Sequence, residues 1–115
     1  EFLNLMNEKP IIFAMANPVP EISPDLAKKV GAFIVGTGRS DFPNQINNVL
    51  AFPGLFRGIL DNNIKLITKE IEVAAAETLA NCLNKKELSV NKILPSVFDK
   101  KVVKAISDKM KKFKK

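Results

Sequence analysis

The sequence predicts an α/β fold: a partial parallel sheet of two buried strands with several helices, forming a piece of a larger domain. Three observations predict it. Ile11-Ile12-Phe13-Ala14-Met15-Ala16 and Ala32-Phe33-Ile34-Val35 are continuously apolar rather than alternating, as strands covered on both faces read. A short helix signal separates them, so they form a strand–helix–strand unit, whose strands run parallel with a right-handed crossover. Two such strands do not complete a covered sheet, which usually holds about five or six, so the neighbouring strands come from an upstream segment or from other chains.

Taken in order, the first strand ends at Asn17-Pro18. Ser23 is placed to cap the following helix, with Pro24 at its first position and Asp25 in its electropositive first turn. Leu26, Ala27 and Val30 give it a short apolar face, and Gly31 stops it. The second strand runs into Gly36-Thr37-Gly38-Arg39-Ser40-Asp41, and the stretch from Phe42 to Asn48 is polar and turn-prone. Val49, Phe52, Phe56, Ile59 and Leu60 then recur at helical spacing; Pro53 lacks a backbone donor, which predicts a kink or a start nearer Ala51. Thr68 can cap an Ala- and Glu-rich helix reaching Leu83, with Ile71, Ala75, Leu79 and Cys82 along one face. Residues 84–98 are a connection, and Asp99 caps a last helix with Val102, Val103, Ile106, Met110 and Phe113 inward and its Lys residues outward.

Composition excludes several function classes. One Cys and no His leave no disulfide framework and no Cys/His zinc cage, and cytoplasmic residence is expected. The longest apolar run, six residues, is far short of the roughly 20 needed to span a bilayer. No secretory signal is expected from the first residues. The net charge of +6 is concentrated at one end: residues 100–115 hold eight Lys against the single acid Asp108. A basic tail on a near-neutral body reads as a solvated Lys-rich helix; the competing reading is a standalone interaction module docking a polyanion through that helix, with steep loss of affinity as salt rises.

Three amides are the candidate site residues. Asn17 stands at the carboxyl end of the first strand, and Asn47 and Asn48 follow the second strand where a helix begins. Open α/β sheets place ligands at carboxyl strand ends, and an amide offers donor and acceptor without charge. From the residues alone, a turn at Asn17 and a cap at Asn47 or Asn48 remain open readings. Gly36-Thr37-Gly38 lacks the third small residue of the dinucleotide fingerprint, Asp41 standing there, and reads as a tight turn. Cys82 reads as core, Arg39 as an anion ligand or the partner of Asp41, and Glu70, Glu72 and Glu77 as a solvated face.

Pro10-Ile11-Ile12-Phe13-Ala14-Met15-Ala16-Asn17-Pro18 and the stretch Gly38-Arg39-Ser40-Asp41-Phe42-Pro43-Asn44-Gln45-Ile46-Asn47-Asn48-Val49-Leu50-Ala51-Phe52-Pro53-Gly54, with Phe56-Arg57-Gly58 behind it, resemble the carboxyl-terminal part of the nicotinamide-binding domain of bacterial-type malic enzymes. The resemblance implies a Rossmann-like domain, with residues 1–98 its carboxyl-terminal part and 99–115 a Lys-rich terminal helix packed on it. It implies oxidative decarboxylation of L-malate to pyruvate and CO2 with NAD or NADP, and Mg²⁺ or Mn²⁺ held by upstream residues. Asn17 then matches the family's strand-end amide near malate and the nicotinamide, and Asn47 and Asn48 its paired amides, which favours ligand contact. The family's catalytic Lys and Tyr and its carboxylate metal ligands have no match here, so this portion alone is expected to be inactive. The implied partners are malate, the nicotinamide cofactor, the upstream part of the same enzyme and further copies in a homo-oligomer; neither membrane nor nucleic acid is among them.

Overall fold

The computed structural model describes residues 2–114; Glu1 and Lys115, the outermost residues of the two expected segments, lie outside the described residues. The chain forms two compact units. The first comprises the residues up to Asn47 together with Leu88–Ile93, and the second comprises Asn48–Glu87 together with the residues from Leu94 onward.

In the first unit, β1 (Ile11–Ala14) pairs parallel with β2 (Ile34–Thr37), Ile11 opposite Ile34 and Ala14 opposite Thr37. Between them runs α1 (Pro24–Lys29). The side chain of Ser23 accepts the Leu26 amide at 3.3 Å, Pro24 occupies the first turn and Asp25 faces the helix dipole. Gly31 takes φ +108°, a left-handed conformation that L side chains adopt rarely, and thereby ends the helix. Ala27, Ala32 and Val35 form the buried centre, joined by Ile12, Ile22 and Leu3. Both strands are shorter or shifted relative to the apolar runs. Ile11 and Phe13 remain half exposed, because side chains alternate across a strand and the packed cluster takes only the Ile12 side of β1. Leu26 and Val30 are likewise half exposed, leaving Ala27 as the inward residue of α1.

In the second unit, a 3₁₀ turn at Asn48–Leu50 leads to α2 (Phe52–Asp61), followed by α3 (Lys69–Asn81) and α4 (Lys100–Met110), with a 3₁₀ turn at Lys111–Phe113. Pro53 causes no kink: it lies in the first turn of α2, where its missing N–H has no helical acceptor to lose. Asp99 caps α4 by accepting the Lys101 amide at 2.9 Å. Leu55, Ile71, Ala74, Ala75, Val102, Ile106 and Met110 form one buried core, with Leu79, Cys82 and Phe113 packed on it. Gly54 and Gly58, one turn apart on α2, make the α2–α4 contact close. A Cβ at Gly54 would stand 2.7 Å from the Val103 carbonyl, and one at Gly58 2.5 Å from Met110 Cγ. Residues 84–98 include a bridged turn, Ser89 to Lys92. No helix among the described residues is long and apolar enough to cross a membrane.

Candidate functional site at the carboxyl end of the strand pair

Because β1 and β2 are parallel and in register, their carboxyl ends lie side by side, and the segments that leave them start from one place. Asn17 leaves β1 three residues past its end, exposed and followed by a cis Asn17–Pro18 bond. The nearby loop is held by Glu21, whose carboxylate accepts the Ala16 amide at 3.2 Å; its own backbone hydrogen bond and that from Ala16 hold this carboxyl below the usual range.

The Asn17 amide lies directly against Gly38, the first residue beyond β2. A Cβ there would stand 3.1 Å from Asn17 Oδ1 and 3.2 Å from Nδ2. Gly36 serves a similar close approach within β2, where a Cβ would meet Ile46 Cδ1 at 2.6 Å and the Asn44 carbonyl at 3.0 Å. The Gly36-Thr37-Gly38 sequence thus makes room for an amide and a returning loop.

That loop turns back onto β2. Gln45 bridges in parallel to Thr37, and the Ile46 amide donates to the Thr37 carbonyl at 2.7 Å, so Asn47 follows immediately at the strand end. Thr37 itself is buried, its hydroxyl accepting the Arg39 amide at 3.2 Å. Asn47 is exposed and makes interactions within the protein. The structure therefore brings Asn17 and Asn47 to the same end of one unit; Asn48, next in the chain, is also exposed and opens the 3₁₀ turn of the second unit.

The other sequence candidates take bland roles. Arg39 holds Asp41 through two hydrogen bonds of 2.8 and 2.6 Å, lies over the Phe42 ring, and depresses the Asp41 carboxyl through that contact. Burial, with the Asp99 charge, pushes the Cys82 thiol up, away from thiolate chemistry. Glu70, Glu72 and Glu77 are exposed, Glu72 pairing with Lys69 at 2.8 Å. In α4, Val102, Ile106 and Met110 are buried while Lys104 and Lys111 bracket Asp108. Among the described residues no three Asp, Glu or Cys side chains converge as a metal cage, so these residues do not fit a divalent ion.

Sequence reasoning missed Asn44. It is buried with φ +57°, its Nδ2 donates to the Val35 and Val90 carbonyls and its Oδ1 accepts the Ile93 amide. An Asn in a turn signals tolerance of positive φ, but nothing local distinguishes it from its neighbours. A pocket of about 300 Å³ in the second unit, lined by Ile64, Lys65, Leu66, Thr68, Ile71 and Phe113 among others, contains none of the three amides.

A family model described as the malic enzyme NAD binding domain matches residues 2–112. The chain is 53% identical over 107 residues to the bifunctional malic/malolactic enzyme of Bacillus subtilis, covering 93% of this chain and 26% of that protein. It is 50% identical to the NAD-dependent malic enzyme of Geobacillus stearothermophilus, covering 92% of this chain and 22% of that one. The NADP-dependent malic enzyme of Rhizobium meliloti is 41% identical, with 92% and 16% covered. Among solved structures, NAD-dependent malic enzyme from Thermotoga maritima superimposes with a TM-score of 0.87 at 46% identity, over 96% of this chain and 28% of that one. The chain thus spans about a quarter of the length of the first curated relatives it matches.

Proposed function

We propose, since this chain belongs to the malic enzyme family through its NAD-binding domain, that it contributes the amides orienting L-malate and the nicotinamide during oxidative decarboxylation of malate to pyruvate and CO2. One observation supports the proposal: Asn17 lies against Gly38, and Asn47 follows the return of Gln45 and Ile46 to Thr37, so both leave the chain at the carboxyl end of the parallel strand pair.

An asparagine amide carries one carbonyl oxygen and two N–H donors. That set suits a malate carboxylate or hydroxyl, or the carboxamide of a nicotinamide, and adds no charge to disturb a reacting centre. Asn17 and Asn47 have this role from the strand end; Asn48, adjacent in the chain, completes the paired amides. Holding reactants in an attack-ready geometry removes entropy from the barrier, which is the work assigned to these residues. Bound NAD or NADP supplies the hydride acceptor. Proton transfer and divalent metal binding are assigned to the rest of the enzyme, and no step of this proposal runs through a metal. In the same reading residues 1–98 are the carboxyl-terminal part of the nicotinamide-binding domain, 99–115 pack on it as a terminal helix, and the whole enzyme is a cytoplasmic homo-oligomer.

The test is steady-state kinetics of Asn17→Ala, Asn47→Ala and Asn48→Ala in the enzyme carrying this segment. A fall in kcat/KM for malate of about tenfold or more is expected for Asn17 and for at least one of the pair, the size of a lost hydrogen bond to a charged group. Unchanged KM and kcat in all three would remove the amides from the site. The 115-residue chain alone should form no NADH or NADPH from malate.

A further inference from the structure

Asn44 uses its whole side chain on the protein. Its Nδ2 donates to the Val35 carbonyl inside β2 at 3.0 Å and to the Val90 carbonyl at 2.8 Å, while its Oδ1 accepts the Ile93 amide at 3.0 Å. Val90 lies inside the Ser89–Lys92 bridged turn and Ile93 directly follows it, and the turn is tied a second time where Lys28 Nζ donates to Asn91 Oδ1 at 2.9 Å. The residue is 7% exposed and holds φ +57°. All these atoms belong to one compact unit.

Two residues, Gln45 and Ile46, separate Asn44 from Asn47. The backbone between them runs along the end of β2, with the Asn44 carbonyl over Gly36 and Gln45 and Ile46 joined to Thr37. Among the described loop residues from Gly38 to Asn47, Asn44 alone is buried. Its side chain therefore anchors the loop on both sides, to the strand beneath and to the turn beside it, and fixes where Asn47 emerges.

We infer that Asn44 is a positioning residue for the malate-binding amide Asn47, acting through the loop it pins and touching no substrate; this rests on the amide reading above. The chemistry required is specific. Two carbonyls need N–H donors and one amide needs an acceptor, which only a carboxamide of this length supplies. Asp keeps the acceptor and tolerates left-handed φ but turns a carboxylate oxygen toward carbonyl oxygens. Gly relieves the backbone and removes every tether.

The experiment measures kcat and malate KM for Asn44→Gly, Asn44→Asp and Asn47→Ala in the enzyme carrying this segment, with circular dichroism to follow folding. A displaced loop weakens binding in every molecule, so malate KM is expected to rise about tenfold or more in both Asn44 variants. A purely structural residue gives fewer folded molecules instead, lowering apparent kcat at unchanged KM. That outcome, or failure of both variants to fold, overturns the inference. If Asn47→Ala raises malate KM and neither Asn44 variant does, only the positioning role fails. If Asn47→Ala changes neither constant, the Asn47 assignment fails and the positioning role with it.

Discussion

Gly38 lies against the amide of Asn17: a Cβ at Gly38 would come within 3.1 Å of Oδ1 and 3.2 Å of Nδ2. Contacts that tight force the amide aside by a few tenths of an ångström. The position does not need glycine for its φ, which lies outside the left-handed region.

Gly38→Ala should therefore separate function from folding. The methyl displaces Asn17, and kcat/KM for malate is expected to fall about tenfold, since small misplacements of a binding group are costly. Stability should hold, with at most about 1 kcal/mol gained from a less flexible unfolded chain. Kinetics paired with a thermal melt checks both; an unchanged kcat/KM would mean that Asn17 can shift without consequence.

The α2–α4 contact should respond in the opposite way. Gly54→Ala puts a methyl 2.7 Å from the Val103 carbonyl and 2.9 Å from Ile106 Cβ, atoms that cannot swing aside. Overpacking of this kind costs about 1–3 kcal/mol. Gly58→Ala meets Met110 Cβ and Cγ at 2.6 and 2.5 Å, and the Ser107 carbonyl at 2.9 Å. Met110 Cγ can rotate away, but its Cβ and the Ser107 carbonyl are fixed by the backbone, so this change also overpacks the contact. Denaturation midpoints of both Gly54→Ala and Gly58→Ala should fall below the parent, and an unchanged midpoint in either would mean that α2 and α4 can part without cost.

Asp108 gives a pH dependence. Hydrogen bonds from Lys104 and Lys111, at 2.5 and 2.7 Å, lower its carboxyl from 3.8 to about 2. A carboxyl depressed by folding stabilises the native state above its unfolded value and stops doing so as pH falls through the folded one. The stability gap between the parent and Asp108→Asn should be full above about pH 4 and close toward pH 2. The group is exposed, so high salt should narrow the gap. Titration of the carboxyl by NMR reads the shift directly.

Cys82 should be slow to react. Its thiol is pushed up by burial and by the Asp99 charge, so thiolate is scarce at neutral pH. Alkylation at neutral pH, followed by peptide mass spectrometry, should run slower than for a free thiol, and modification as fast as a free thiol's would mean that the α3 end opens readily.

Local signals were readable where the chemistry is local. Ser23-Pro24-Asp25 announces the start of α1 because a cap, a fixed φ and a dipole-facing acid act within one turn. Asn17 was legible as a strand-end residue because the first apolar run stops at Asn17-Pro18, whereas Asn47 was legible only as following the second strand where a helix begins, and its loop's return to Thr37 is unannounced. Contacts between distant segments were not. Asn44 finds Val90 and Ile93 46 and 49 positions away, and nothing in Pro43-Asn44-Gln45 announces them. Gly54 and Gly58 have a visible one-turn spacing, but that α4 lies across them depends on packing. The exposure of Ile11 and Phe13 shows the reverse case: an uninterrupted apolar run promises cover on both faces, while the packed cluster of this unit takes one.

The return of Leu88–Ile93 to the first unit also governs how this chain can be assembled and cut. The bonds at Asn44 close a loop of more than forty residues, with an entropic cost of about 3 kcal/mol. Contacts across so long a separation are expected to form after the local ones, because loop closure is paid before they reward it. A boundary drawn after Asn47 leaves the loop anchor without either of its far partners, so neither unit can be excised as one continuous stretch. A break in the polypeptide anywhere between Asn48 and Glu87 would turn the Asn44 contacts into a bimolecular association, and the strand-end loop would then depend on concentration for its order.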